Sequence, residues 1–300
     1  FDMDVDMEKV RGAIQEKVGD VYGINTEEAA MGIIRVANSN MLNALKLVSI
    51  SKGYDPREFA LVAFGGGGPM HAAALAKELN IKKVIIPLAA SVFSAWGMLM
   101  TDLRSDDIQT YRVKLDNPDF DAINAEWEGL EEKACQDNAR KGISREDVYF
   151  QHYLDMRYIG QDHTVKVKVP NDPMSAENIS EFIEAFHREH EQNYSFRLDE
   201  SGVEIVNIHL ASFGRIEKTP IKEAEILPYS LEEAIKEIRP VIFEGDGTLD
   251  TKVYDREKMS PGMKLEGPAI IEEVSSSAVI YPGMKASVDK FGDILIETGV

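Results

Sequence analysis

A second cysteine is the first thing this 300-residue sequence lacks: Cys135 stands alone, so no internal disulfide can form and a reducing compartment is expected. A basic surplus is missing as well. Lys and Arg number 33 against 52 Asp and Glu, giving 33 − 52 = −19, and phosphate neutralisation along a nucleic acid needs the opposite sign. No stretch of about 18 apolar residues occurs, so no membrane span is expected. The opening Phe1-Asp2-Met3-Asp4-Val5-Asp6 carries no basic segment followed by an apolar one, so no leader is read there. Cytoplasmic location is the resulting expectation. Internal repeats and low-complexity segments are absent too. What remains, 44% hydrophobic and 28% charged residues, is an ordinary globular mixture that can bury a core, at a length that suits two domains.

The apolar pattern then places the elements. Asn25 with Glu28 three residues on forms a capping-box signature, and Ala30, Ile33, Ile34, Ala37, Met41, Leu45 and Val48 recur at helical steps up to Lys52, with Gly53 as terminator. The continuous run Phe59 to Phe64 predicts a strand buried on both faces. Pro69 opens a helix through Leu79, and Lys83 to Pro87 predicts a second buried strand. A strand, a glycine loop, a helix and a strand make a parallel crossover, with ligands expected at the carboxyl ends of the strands. Charge accumulates from Asp102 to Asp116, placing a boundary near 110. Beyond it come a polar helix over Phe120 to Lys141, a two-faced strand Val148 to Tyr158 forming a hairpin with Thr164 to Val169, a helix Ser175 to Tyr194 and a strand Val203 to Phe213. Short β runs cut by Gly and Pro from Arg239 onward predict a barrel or sandwich.

Phe64-Gly65-Gly66-Gly67-Gly68-Pro69-Met70-His71 is the locally informative motif. Consecutive glycines at a strand's carboxyl end let a phosphate or ribose approach the backbone; equally, they make a tight turn. A P-loop is disfavoured because no Lys-Ser/Thr follows, and Met70 breaks G-x-G-x-x-G. His71, in the first helical turn, suits a neutral donor facing a ligand or an internal hydrogen bond. His187 and His190 share a helix face, but no third metal ligand is spaced to join them, and no metal site is assigned. Cys135 has no base beside it and reads as inert. Asp155 and Arg157 share one strand face and suggest a cross-strand ion pair. No catalytic residue is assigned.

The glycine loop, followed by Val84-Ile85-Ile86-Pro87 and Ser94-Ala95-Trp96-Gly97-Met98-Leu99, resembles the hydantoinase A/oxoprolinase family. Asn40-Met41, Gly53-Tyr54-Asp55-Pro56-Arg57, Arg157-Tyr158-Ile159-Gly160-Gln161, Val203 to Asn207, Tyr254-Asp255-Arg256, Gly267 to Glu273 and Tyr281-Pro282-Gly283 extend the resemblance over nearly the whole chain. The resemblance implies a fold of α/β plus α+β class. Residues 1–110 would belong to the second half of an actin-like (ribonuclease H-like) ATPase domain. Residues 111–300 would form an α+β domain with a β-rich end. It implies an ATP- and Mg²⁺-dependent enzyme subunit opening a small cyclic amide such as hydantoin, N-methylhydantoin or 5-oxoproline. Gly65, Gly66, Gly67, Gly68, Pro69 and His71 would contact the nucleotide. Relatives that carboxylate acetone or acetophenone supply an alternative, and a non-catalytic assembly module is another. The loop continues Gly68-Pro69-Met70-His71 where oxoprolinase types have G-G-Q-H, which favours the hydantoinase A branch, and Ser275-Ser276-Ser277 stands where relatives show threonine. Family members being longer, the chain is expected to be a C-terminal portion, inactive alone, that works with its N-terminal half and a hydantoinase B-like subunit.

Overall fold

The computed structural model describes residues 5–300; the first four, on which part of the reading of the N-terminus falls, lie outside the described residues. The chain divides into two compact units, one comprising the chain up to Leu99 together with Pro220–Val300, the other Met100–Thr219.

The first unit begins with α1 (Met7–Ile14) and a short α2 (Asp20–Tyr22), then the long α3 (Thr26–Val48). The capping box is present: Asn25 Oδ1 accepts the Glu28 N–H at 2.9 Å, and the Glu28 carboxylate accepts the Asn25 N–H at 3.2 Å. The helix ends earlier than expected, tightening into a 3₁₀ turn Ile50–Lys52 before Gly53 at φ 81°. Next come β1 (Leu61–Val62), α4 (Gly68–Glu78), β2 (Lys83–Ile86) and α5 (Phe93–Leu99). β1 and β2 pair in parallel, Leu61 opposite Val84, which is the expected crossover. The strand expected over Phe59 to Phe64 is corrected to two residues. β1 is the edge of its sheet, so one side has no neighbour there and Phe59, Val62 and Phe64 remain about half exposed.

The second unit contains β3 (Leu103–Lys114), α6 (Phe120–Arg140), β4 (Val148–Tyr158), β5 (Val165–Lys168), α7 (Ile179–Tyr194) and β6 (Val203–Gly214). Its antiparallel sheet runs β3-β6-β4-β5, and the β4–β5 hairpin pairs Leu154 with Val167. The period of two turns Leu154, Met156 and Tyr158 inward, where they meet Ile123 and Trp127 of α6 and Phe182 and Phe186 of α7.

The chain then returns to the first unit with β7 (Ile235–Phe243), β8 (Gly247–Asp255), β9 (Lys264–Glu266), β10 (Ala269–Glu272), β11 (Ser277–Ile280), β12 (Lys285–Val288) and β13 (Ile294–Glu297). These strands do not close a barrel of their own. β13 pairs antiparallel with β2, Ile294 opposite Ile86, so three C-terminal strands complete the sheet β1-β2-β13-β12-β9. The other four form β11-β10-β8-β7. One core joins Ala72, Ala76, Val84 and Ile86 to Ile271, Ile280, Ile294 and Ile296. The compact units are therefore drawn differently from a single division near residue 110.

Candidate functional site

The glycine loop links β1 to α4, and its four glycines do different jobs. Gly65 adopts φ 83°, a left-handed conformation that favours glycine, and its N–H donates to the Ala90 carbonyl at 2.8 Å. A Cβ on Gly66 would stand 3.1 Å from the Ser275 carbonyl oxygen, tight enough to force a shift. Gly67, the residue before α4, has ordinary right-handed dihedrals, and a Cβ there would meet nothing within 4 Å. Helix α4 has no side-chain cap and no acidic residue in its first turn, so its leading N–H groups and positive dipole end are uncompensated by side chains.

Beside this loop lies an open pocket of ≈ 660 Å³. Gly66, Gly67 and Met70 line one side; Lys236, Asp255, Glu257 and the segment 272–277 line the other. The pocket sits where β1, β8 and β10 end, and each of these strands belongs to a parallel pair. Carboxyl ends of parallel strands are where α/β sheets bind ligands. One contact ties the wall to the loop after β2, the Ser275 hydroxyl donating to Ser91 Oγ at 2.6 Å, and the wall segment is closed on itself by the Glu273 N–H donating to the Ser276 carbonyl at 2.8 Å.

The wall carries charge in two states of pairing. Glu272 lies 2.9 Å from Lys236 Nζ and 3.0 Å from the Arg239 guanidinium. Burial would raise its carboxyl, but these two cations outweigh it and hold the group below the ordinary range. Glu273 faces the other way in energy: burial pushes it up, with Arg256 only partly opposing.

Of the residues singled out from sequence, Gly66 and Gly67 line the pocket; Gly65, Gly68, Pro69 and His71 do not. Pro69 is buried in the first turn of α4. His71 Nδ1 lies 2.7 Å from Asn38 Oδ1 on α3, which makes Nδ1–H the donor, and burial holds the ring below its usual range, in the neutral form. His187 and His190 are buried. The Tyr158 hydroxyl accepts the Leu198 N–H at 2.8 Å and lies 2.6 Å from His187 Nδ1, while His190 Nδ1 donates to the Phe196 carbonyl at 3.0 Å. Both rings pack on Tyr158 and Phe186, so they serve the core of the second unit. Cys135 is buried on α6, and burial pushes its thiol up. Arg157 pairs with Glu204 at 2.7 Å across β4–β6, and Asp155 instead accepts from Asn207 at 2.8 Å, so the cross-strand pairing exists with different partners. Among the described residues no group of three or more His, Cys, Asp or Glu is disposed to hold a metal ion.

The pocket wall escaped the sequence reading. Asp255 lies in Tyr254-Asp255-Arg256, and Glu272 and Glu273 lie in Gly267 to Glu273, motifs of the resemblance that had no role attached; Ser275 to Ser277 stood out only for replacing threonine, Lys236, Glu257 and Val274 belong to no motif, and nothing local says that any of them meets a loop near residue 66.

The hydantoinase/oxoprolinase family matches residues 2–107, and the hydantoinase/oxoprolinase C-terminal domain matches residues 115–296. The caprolactamase alpha subunit of Pseudomonas jessenii is 33% identical over 92% of this chain and 40% of its own. The acetophenone carboxylase gamma subunit of Aromatoleum aromaticum is 30% identical over 98% of this chain and 42% of its own. The crystal structure of ATP-dependent caprolactamase from P. jessenii superposes with a TM-score of 0.81 at 31% identity, covering 97% of this chain and 42% of that one. The chain thus spans about two-fifths of the length of these relatives. With both family regions matched in order along one polypeptide and the fold reproduced in a solved relative, the chain belongs to the hydantoinase/oxoprolinase family.

Proposed function

We propose that the chain is the C-terminal portion of an ATP-dependent enzyme subunit that opens a small cyclic amide, such as a hydantoin or 5-oxoproline, and that the glycine-loop pocket receives the nucleotide. Gly67 carries this reading. Gly65 needs glycine for its backbone and Gly66 for its neighbour, so a structural turn accounts for both, but nothing in the fold requires a bare position at Gly67. A side chain missing there leaves room for a ligand beside an uncapped helix N-terminus. The residues thus fit a nucleotide: Gly66 and Gly67 would admit it to the backbone, and the first N–H groups of α4 would face its phosphates. Bound ATP would supply phosphorylation of the amide oxygen, which makes the ring C–N bond easier to cleave. With no metal-holding group among the described residues, Mg²⁺ would enter with the phosphates or be held by acids elsewhere in the enzyme.

The chain is proposed to work in the cytoplasm, as the second half of an actin-like domain, with an N-terminal half of the same polypeptide and a hydantoinase B-like subunit as partners. The 30% identity to an acetophenone carboxylase subunit sustains a second reading, in which ATP activates a ketone or bicarbonate for carboxylation. Turnover separates the two. The full-length polypeptide with its partner subunit is expected to show lactam-dependent ATP hydrolysis; ATP hydrolysis that depends on a ketone and bicarbonate would reverse the choice.

A further inference from the structure

Strands β8 and β10 run parallel with Asp255 opposite Glu272, so Arg256 and Glu273 leave the sheet side by side at the pocket. Both are deeply set, with side chains 4% and 14% exposed. The guanidinium donates to the Gly292 carbonyl, and its Nε lies 3.4 Å from Glu273 Oε1, yet neither of these two atoms makes a hydrogen bond. Burial holds the guanidinium below its ordinary range against the pull of Glu273, Asp293 and Asp289. A buried ion pair without full hydrogen bonding contributes little to stability, and an apolar pair of similar volume in its place is often neutral or stabilising. Filling space does not explain the pair.

Its position does. Gly292 belongs to the turn 289–293, where Asp293 Oδ1 accepts the Leu88 N–H at 2.9 Å just past β2. Glu273 begins the segment whose Ser275 reaches Ser91 and crowds Gly66. Arg256 therefore ties the turn behind β2 to the wall in front of the glycine loop.

We propose that Arg256 and Glu273 are positioning residues that fix the 272–277 wall opposite Gly67, and that ligand binding, not folding, requires them. The proposal rests on the pocket being the nucleotide site. It is tested by titrating ADP with Mg²⁺ calorimetrically into the full-length polypeptide and into the double variant Arg256→Met, Glu273→Leu, with Tm measured on both. The double variant is expected to melt no lower than the wild type and to bind about tenfold more weakly, the scale of one lost polar contact. Unchanged affinity, with or without a lower Tm, overturns the positioning role. Loss of binding in Gly67→Val alongside unchanged binding in the double variant overturns the proposal and leaves the nucleotide site standing. A wild type that binds no nucleotide removes both. Should the double variant not fold, Glu273→Gln, which keeps shape and removes charge, takes its place: weaker ADP binding is expected, together with a lower Tm because the buried Arg256 charge loses its partner, and equal binding overturns the role.

Discussion

Adjacent glycines with opposite requirements make the loop separable by mutation. Gly66→Val drives a branched side chain against the Ser275 carbonyl and is expected to cost about 1–3 kcal/mol in urea unfolding, the usual cost of overpacking. Gly67→Ala enters open space; reduced freedom of the unfolded chain and a poorer helix cap oppose each other, so its stability change stays below about 1 kcal/mol. A Gly67→Ala cost as large as that of Gly66→Val would contradict the geometry. Asp106 offers a test by pH. Arg104 grips it with two hydrogen bonds of 2.8 Å and His209 Nε2 lies 2.8 Å away, and these hold its carboxyl at about 2 instead of the ordinary 3.8. A folded value below the unfolded one gives stability that is complete above the ordinary value and is lost as pH falls through about 2. Stability differences between wild type and Asp106→Asn, followed by chemical unfolding, should therefore shrink steadily on acidification across that window; a difference independent of pH would remove the ionic contribution.

Helix α3 depends on its first turn. Asn25→Ala removes one half of the capping box and is expected to lower stability by about 1 kcal/mol in thermal or urea unfolding; no change would mean that the helix start is set by packing alone. That cap, the alternation of β4 and the span of α6 were legible because each depends on neighbours within a turn or two. Other features were not. The apolar run at Phe59 to Phe64 signals a strand but cannot say whether a strand lies on both sides, so the expected length exceeded the two paired residues of β1. Arg157 and Asp155 were legible as a polar face, while their partners Glu204 and Asn207 follow only from the register of β4 on β6. The pairing of β13 with β2 and the approach of Ser275 to Gly66 join opposite ends of the sequence, and short-range pattern carries no trace of either.

At the scale of the molecule, one unit is continuous and the other is not. Residues 100–219 hold their own sheet, two helices and core, and are expected to fold alone with a cooperative thermal transition by circular dichroism. Residues 1–110 alone are expected not to, because Val84 and Ile86 are buried against Ile294 and Ile296. A cooperative transition in the shorter N-terminal piece would contradict the shared core. The same interleaving builds the pocket, since the glycine loop comes from one end of the chain and its wall from the other. The most direct measurement is therefore calorimetric titration of ADP with Mg²⁺ into the full-length polypeptide and its Gly67→Val variant. Binding by the wild type and its loss in the variant are expected; equal binding by both, or none by the wild type, would contradict a nucleotide site at the glycine loop.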